Sequence, residues 1–246
     1  MSTIAIGDIH GNLRALEDLL NCIVPHISSD DTVVFLGDYI DRGPDSKGCI
    51  EAILSFQDSY SGRVATLLGN HEQWLMRTYK DNTSHSWLLG MEAFETIQSY
   101  SRDAAEKLRQ EAEREALRLI LDRVPLPYDI FFDAVPQKHK EFFKNLRIFY
   151  RTPDAVCVHG GLNPRAGRIE EQFPEDIIWG TDDFPAHYDG SDLVVYGHTC
   201  NPVIDKNGRP YPRIVGQTFG IDTICKGVLT ALKLPENIVI RSDRFS

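Results

Sequence analysis

The sequence predicts an α/β protein: a largely parallel sheet covered by helices, with a helical insertion on one side. Three observations predict it. Apolar, β-branched runs recur along the chain, and each breaks at a glycine, a histidine or both, beside further polar residues. Amphipathic helical stretches separate the first of these runs at the spacing of strand–helix units. Over about 73–152 the strand signal gives way to helical periodicity and paired charges. No internal repeat, low-complexity segment or domain-type linker interrupts the 246 residues. We therefore expect a single domain over 1–246, carrying its insertion at about 73–152.

The first unit is a strand over Thr3, Ile4, Ala5 and Ile6, then Gly7-Asp8-Ile9-His10-Gly11 in an extended turn. Asn12 is placed to cap a helix whose Leu13, Leu16, Leu19, Leu20 and Ile23 keep helical spacing until Pro25 stops it. The second unit runs from Val33 to Leu36 and opens into Gly37-Asp38-Tyr39-Ile40-Asp41-Arg42-Gly43; Pro44-Asp45-Ser46 starts its helix. The third strand, Val64 to Leu68, ends in Gly69-Asn70-His71-Glu72. In the insertion, one long helix is expected from Ser101 to Val124. Its apolar face is Ala105, Leu108, Ala112, Ala116, Leu119 and Ile120, and Glu106/Arg109, Glu111/Arg114 and Glu115/Arg118 pair on its flanks. A further helix is expected from about Pro136 to Leu146. Strands resume at Ala155 to Val158, ending in His159-Gly160-Gly161, and at Leu193 to Tyr196, ending in Gly197-His198-Thr199. Strands over 214–221, 228–234 and 238–241 close the chain, with Asn207-Gly208 as a hairpin turn.

Hydrophobic residues make up 42% and charged residues 25%, the balance of an ordinary globular protein. A net charge of −10 argues against nucleic acid as a partner, because phosphate backbones attract basic faces. No apolar run is long enough to span a membrane, and the stretch before Asp8 is too short for a signal-peptide core. The five cysteines are odd in number and lack C-x-x-C spacing, so we expect free thiols and a cytoplasmic protein.

The strand ends collect Asp8, His10, Asp38, Asn70, His159 and His198. Two carboxylates, one amide and three imidazoles exceed what one ion takes, but serve two divalent ions sharing a carboxylate. Mixed nitrogen and oxygen donors suit Mn, Fe, Zn or Ni more than Mg or Ca. Two such ions clamp the attacking and leaving oxygens of a displacement at phosphorus. Arg42 adds a fork for phosphate oxygens. Other phosphate chemistries are absent: no Cys is followed six residues on by Arg, and there is no P-loop or H-E-x-x-H motif.

These five motifs, in this order, resemble the motif set of the calcineurin-like metallophosphoesterases. Among them the chain resembles the serine/threonine phosphoprotein phosphatases and the symmetrical dinucleoside tetraphosphate hydrolases. The likeness covers 3–72 and 155–199 well, the insertion poorly. It implies a four-layer α/β/β/α sandwich of two mixed sheets. It also implies roles: Asp8, His10 and His198 on one metal, Asn70 and His159 on the other, Asp38 bridging, and a metal-bound hydroxide as nucleophile. Arg42 then binds the phosphate, and His71, oriented by Asp41, serves the leaving oxygen. The implied activity is hydrolysis of phosphomonoesters, with phosphoserine or phosphothreonine in proteins as the expected substrate and a dinucleoside tetraphosphate as the alternative. A metal-binding scaffold without turnover is disfavoured by the presence of His71, Asp41 and Arg42. One departure stands out: many bacterial relatives in the resembled family carry an Arg where this chain has Thr181, leaving Arg165 or Arg168 as substitutes for a second phosphate clamp.

Overall fold

Alternation along the strands explains how the layers form. In a computed structural model, which describes residues 1–245, β1 (Thr3–Ile6) lies beside β2 (Thr32–Phe35), and α1 (Leu13–Ile23) connects them. Successive strand residues face opposite sides. Thus Ile4, Ile6, Val33 and Phe35 pack outward on Leu16 and Leu19 of α1 and on Ile50 and Ile53 of α2 (Ser46–Ser59). Ala5 and Val34, with Ala65 of β3 (Arg63–Thr66), face inward onto a second sheet. Small alanines at those inward positions let the two sheets approach.

After β3 the chain runs through seven helices before the next strand. They are α3 (Asn70–Lys80), α4 (Ser86–Gly90), α5 (Ala93–Tyr100), α6 (Arg102–Glu115), α7 (Leu117–Leu121), α8 (Asp129–Phe132) and α9 (Gln137–Lys144). Next come β4 (Phe149–Arg151), β5 (Val156–Val158), α10 (Pro174–Trp179) and β6 (Val194–Tyr196). A small hairpin of β7 (Val203–Ile204) and β8 (Pro210–Tyr211) turns at Gly208, whose φ is 73°. The chain ends through β9 (Arg213–Val215), β10 (Thr218–Gly220), β11 (Thr230–Leu234) and β12 (Ile238–Arg241).

One sheet has the order β12-β11-β1-β2-β3 and the other β4-β5-β6-β10-β9. The largely parallel sheet read from strand–helix alternation gives way to two mixed sheets, as the motif resemblance implied. Each has three parallel strands in a row: β1, β2 and β3 run to one edge of the first, with β11 and β12 antiparallel on the other side, while β5, β6 and β10 are central in the second, flanked by antiparallel β4 and β9. Cys157 and Val195 of the second sheet meet Ala5 and Val34 of the first, while Val156, Val158 and Tyr196 face the other way, onto Leu162, Ile169 and Ile177. The order of layers is helix, sheet, sheet, helix; the last is thin, made of α10 and loops.

Several local expectations are overturned. The predicted helix from Ser101 to Val124 breaks at Ala116, where φ 36° and ψ −111° depart from helical values. Ile120, expected inward, is exposed, because α7 restarts at a new angle after that break. Glu111/Arg114 and Glu115/Arg118 pair as expected, but Arg109 lies over the Phe94 ring instead of pairing with Glu106. Asn12 does not cap α1; its amide donates to the carbonyls of Ile9 and His10. The strand expected over 214–221 is two strands, β9 and β10, folded on Gly216 with φ 55°. Cys200 and Cys225 form a disulfide, contrary to the expectation of free thiols, because the fold brings the loop after His198 against the loop after Ile224. Cys49 and Cys157 are free and buried, and Cys22 is free and half-buried.

Candidate metal centre

Five loops, each following a parallel strand, meet at the carboxyl ends of the two parallel strand triplets. That is where open α/β sheets place their ligands. The backbone there is unusual. Among the described residues, nine non-glycine residues have positive φ, and five are His10, Asp38, Asp41, Arg42 and His198. Such conformations cost of order 1–3 kcal/mol each and persist only where the surroundings impose them. His10, with φ 46°, does not sit in the extended turn that its spacing from Asp8 suggested.

A carboxylate imposes much of this. Glu72, buried in the first turn of α3, accepts from the N–H groups of Asp38 at 3.0 Å, Tyr39 at 2.8 Å and Ile40 at 3.3 Å. It also takes the Gly69 N–H at 3.2 Å. Four backbone donors that strand and helix leave unpaired thus share one side chain. Close approach fixes two glycines: a Cβ on Gly69 would overlap Asp38 Oδ1, and one on Gly197 would overlap Asp8 Oδ1.

The loops bring all six strand-end residues together. Asp38 stands centrally. Its Oδ1 lies 3.3 Å from His159 Nε2 and accepts the His71 N–H at 3.1 Å. Its Oδ2 lies 3.6 Å from His10 Nε2 and 3.9 Å from His71 Nε2. Asn70 Oδ1 lies 3.0 Å from His159 Nε2 and 2.8 Å from His198 Nδ1. Asp8 accepts the His198 N–H at 2.9 Å through Oδ2, and its buried Oδ1 has no partner. Among the described residues, donor atoms within 4.8 Å of one another form two groups, His10/Asp38/His71 and Asp38/His159/His198. Asp38 belongs to both. The second group places His198 beside His159, whereas the motif resemblance assigns it to a set with Asp8 and His10.

Hydrogen bonds orient the rings for ligation. His10 Nδ1 meets the Ile40 carbonyl and His159 Nδ1 the Leu36 carbonyl, each at 3.0 Å. An N–H donated to a carbonyl leaves the Nε2 lone pair facing the centre, as in many metal-ligating histidines. Burial pulls the pKa of His10 down to about 3 and that of His198 down to about 4, so both are neutral at pH 7. His159 differs: burial pulls it down, but Asp38, Asp8 and Glu72 together push it up to about 10. Burial would raise Asp38, yet His159, His71 and His10 hold its carboxyl well below the usual range. Burial and then Asp222 lift Asp8 well above it. The donor set fits divalent cations: imidazole nitrogens, several carboxylates and an orphaned carboxylate oxygen converge where, among the described residues, no Lys or Arg is buried with them, and the carboxylates that hold a proton on His159 would equally hold a metal there.

Next to this cluster, His71 Nδ1 lies 2.8 Å from Asp41 Oδ2, and its buried Nε2 has no hydrogen-bond partner. Asp41 is itself held by Thr96 Oγ1 at 2.5 Å and the Trp87 indole N–H at 2.9 Å. Burial alone would lower the His71 pKa, but Asp38 and Asp41 raise it above its ordinary value. Arg42 is exposed and reaches back to His10 Nε2 at 2.9 Å. Arg165 and Arg168 are largely exposed, paired with Asp183 and Glu170, while Thr181 Oγ1 donates to the Leu162 carbonyl.

Sequence reasoning missed four residues here. Glu72 stood in a quoted motif without a role. Asp222 follows β10 and Ile221, repeating the strand-then-acid pattern that marked Asp8 and Asp38, and it is buried beside Asp8 with Oδ2 unpartnered. Thr96 and Trp87 lie in the insertion and carried no signal.

A family model described as calcineurin-like phosphoesterase matches residues 1–202. The bis(5'-nucleosyl)-tetraphosphatase PrpE (asymmetrical) of Bacillus velezensis is 30% identical, over 94% of this chain and 88% of that protein. A symmetrical bis(5'-nucleosyl)-tetraphosphatase of Edwardsiella ictaluri is 38% identical, over 95% of this chain and 92% of its own. The crystal structure of a candidate diadenosine tetraphosphatase superposes with a TM-score of 0.64 at 20% identity, covering 100% of this chain and 94% of that one.

Proposed function

Because the chain belongs to the calcineurin-like phosphoesterase family, we propose that it is a two-metal hydrolase of dinucleoside tetraphosphates. The observation that carries this substrate is the likeness, over nearly the whole chain, to two proteins named for that activity. It moves the phosphoserine or phosphothreonine substrate expected from the motifs to second place. A feature of the site supports the same choice. Trp179 lies edge-on to His198 with centroids 5.9 Å apart, and Trp74 lies against Trp179 at 5.1 Å. Both indoles are half-buried, and the Trp179 N–H is pinned on Gln73. A rigid aromatic wall beside a phosphate site can stack a nucleobase, an interaction of about 1–3 kcal/mol.

In this proposal Asp8, His10, Asp38, Asn70, His159 and His198 hold two divalent ions, manganese first among candidates given the mixed donors. When bound, such ions neutralise phosphoryl oxygens and lower the pKa of a coordinated water. The chain's own residues do the rest. Arg42 swings from His10 to fork onto a phosphate oxygen. His71, its Nδ1–H held by Asp41, keeps a proton on Nε2 for the departing oxygen. Asp41 keeps that ring in place because Thr96 and Trp87 occupy its other lone pairs. Glu72 maintains the backbone that presents Asp38.

The test offers the purified protein, with manganese, a dinucleoside tetraphosphate, a phosphopeptide and a simple aryl phosphate. A kcat/KM highest on the dinucleotide supports the proposal, and its products show whether cleavage is symmetrical or asymmetrical. A highest value on the phosphopeptide reverses the order of the two readings. Inactivity on all three removes the enzyme.

A further inference from the structure

Away from the metal centre, the C-terminal half of α3 packs against α8 and α9 around a cavity of about 210 Å³. Leu75, Phe131, Val135 and Phe143 wall it, and all four are buried. Protein interiors hold few voids larger than a water molecule, and an apolar space of this size has room for a small ligand. Its mouth carries Lys80, Lys140 and Lys144. None of these three enters an ion pair among the described residues, whereas Lys138, on the same helix as Lys140 and Lys144, pairs with Glu51. On a chain with a net charge of −10, three ammonium groups outside any ion pair line one apolar opening, with Asp129 and Asp133 beside Lys80 and Lys140 in the adjoining recess. Lys80 and Lys144 lie in the last turns of α3 and α9, where free helix carbonyls hold cations near the mouth.

Size narrows the ligand. An apolar cavity of roughly 150 Å³ takes benzene, whereas pockets for drug-sized ligands and cofactors run to roughly 300–1,000 Å³. The space therefore suits a single aromatic ring or a short acyl chain and is too small for a nucleotide. Its charge selects an anionic head. We propose that this cavity binds a small amphipathic carboxylate, its apolar body between Leu75, Val135 and Phe143 and its head at Lys80, Lys140 and Lys144. The site is separate from the metal centre but shares its helix: α3 begins at Asn70 and His71 and ends at Lys80.

Binding is measured by calorimetry on the intact chain with octanoate, 3-phenylpropanoate and octylamine. Both carboxylates are expected to bind saturably at one site per chain. Octylamine, with a chain of the same length and the opposite charge, should bind at least tenfold more weakly, the scale of one charge-assisted hydrogen bond. A preference between the two carboxylates tells an acyl from an aryl occupant. Lys140→Glu with Lys144→Glu, at one half-buried and one exposed position and checked for folding by circular dichroism, should weaken both carboxylates about tenfold or more. Val135→Trp, which fills the space, should abolish binding; an unchanged circular dichroism spectrum confirms that variant's fold. A packing void only, with no saturable heat from either carboxylate, overturns the proposal. So do equal affinity for octylamine and undiminished binding in the lysine double variant.

Discussion

The strand-end loops and the helical roof over 73–152 are built on opposite plans. In the loops, five non-glycine residues hold positive φ, carboxylates and imidazoles are buried together, and Glu72 alone satisfies four backbone N–H groups. In the roof, α6 is an ordinary amphipathic helix with ion pairs in water. The loops spend stability on geometry, which a functional site requires. The roof gains its stability from generic burial, so many sequences would serve. The meeting point is Asp41, a loop residue whose two carboxylate oxygens are held by Thr96 and Trp87 of the roof.

Substitutions should separate the plans by size of effect. The largest belongs to Asp38→Asn, which takes a shared charge from both donor groups. Elemental analysis should show both metals lost and hydrolysis abolished, and retention of two ions per chain would refute the bridging role. Next is His71→Asn. Turnover of an alkyl phosphate should fall by roughly 10²–10⁴, the range of general acid–base catalysis, with metal content full. On a dinucleoside tetraphosphate the loss should be smaller, because the departing nucleotide is already a weak base; equal losses on both substrates would count against His71 as the proton donor. Glu72→Ala should lower stability by about 2–3 kcal/mol or more in urea unfolding, since buried donors lose their acceptor. A drop below about 0.5 kcal/mol would remove Glu72 as the support of the loop. In the roof, Ala116→Gly should stabilise by about 0.4–1 kcal/mol, because φ 36° with ψ −111° suits glycine. Destabilisation there would mean that the break is imposed by contacts of the alanine methyl. The smallest effect is Arg118→Ala, within about 0.5 kcal/mol, as for exposed ion pairs generally.

The same contrast explains what could be read in advance. Asp8, His10, Asp38, Asn70, His159 and His198 were legible because a site built on strand ends repeats one local pattern, apolar run then glycine and ligand. Glu72 was visible in type but not in role, since its four partners lie in Asp38, Tyr39, Ile40 and Gly69, and three of them are over thirty positions away in the chain. Asp222 fitted the pattern and was passed over because no glycine stands directly beside it. In the roof, periodicity found α6 and α9 but not the break at Ala116, which no glycine or proline marks. The Cys200–Cys225 bridge was invisible because 25 positions of chain say nothing of two loops meeting in space.

By itself the sequence determined the chemistry available: which donors stand at strand ends, and that they suit divalent ions and phosphate. Those are properties of residue types in short, local patterns. Only the tertiary structure decided that two sheets face each other across alanine-lined faces, so that loops more than a hundred residues apart share Asp38. It alone also decided that Trp87 and Thr96 reach down from the roof to hold Asp41. Such contacts depend on how layers pack, and packing is a property of the whole chain rather than of any stretch of it.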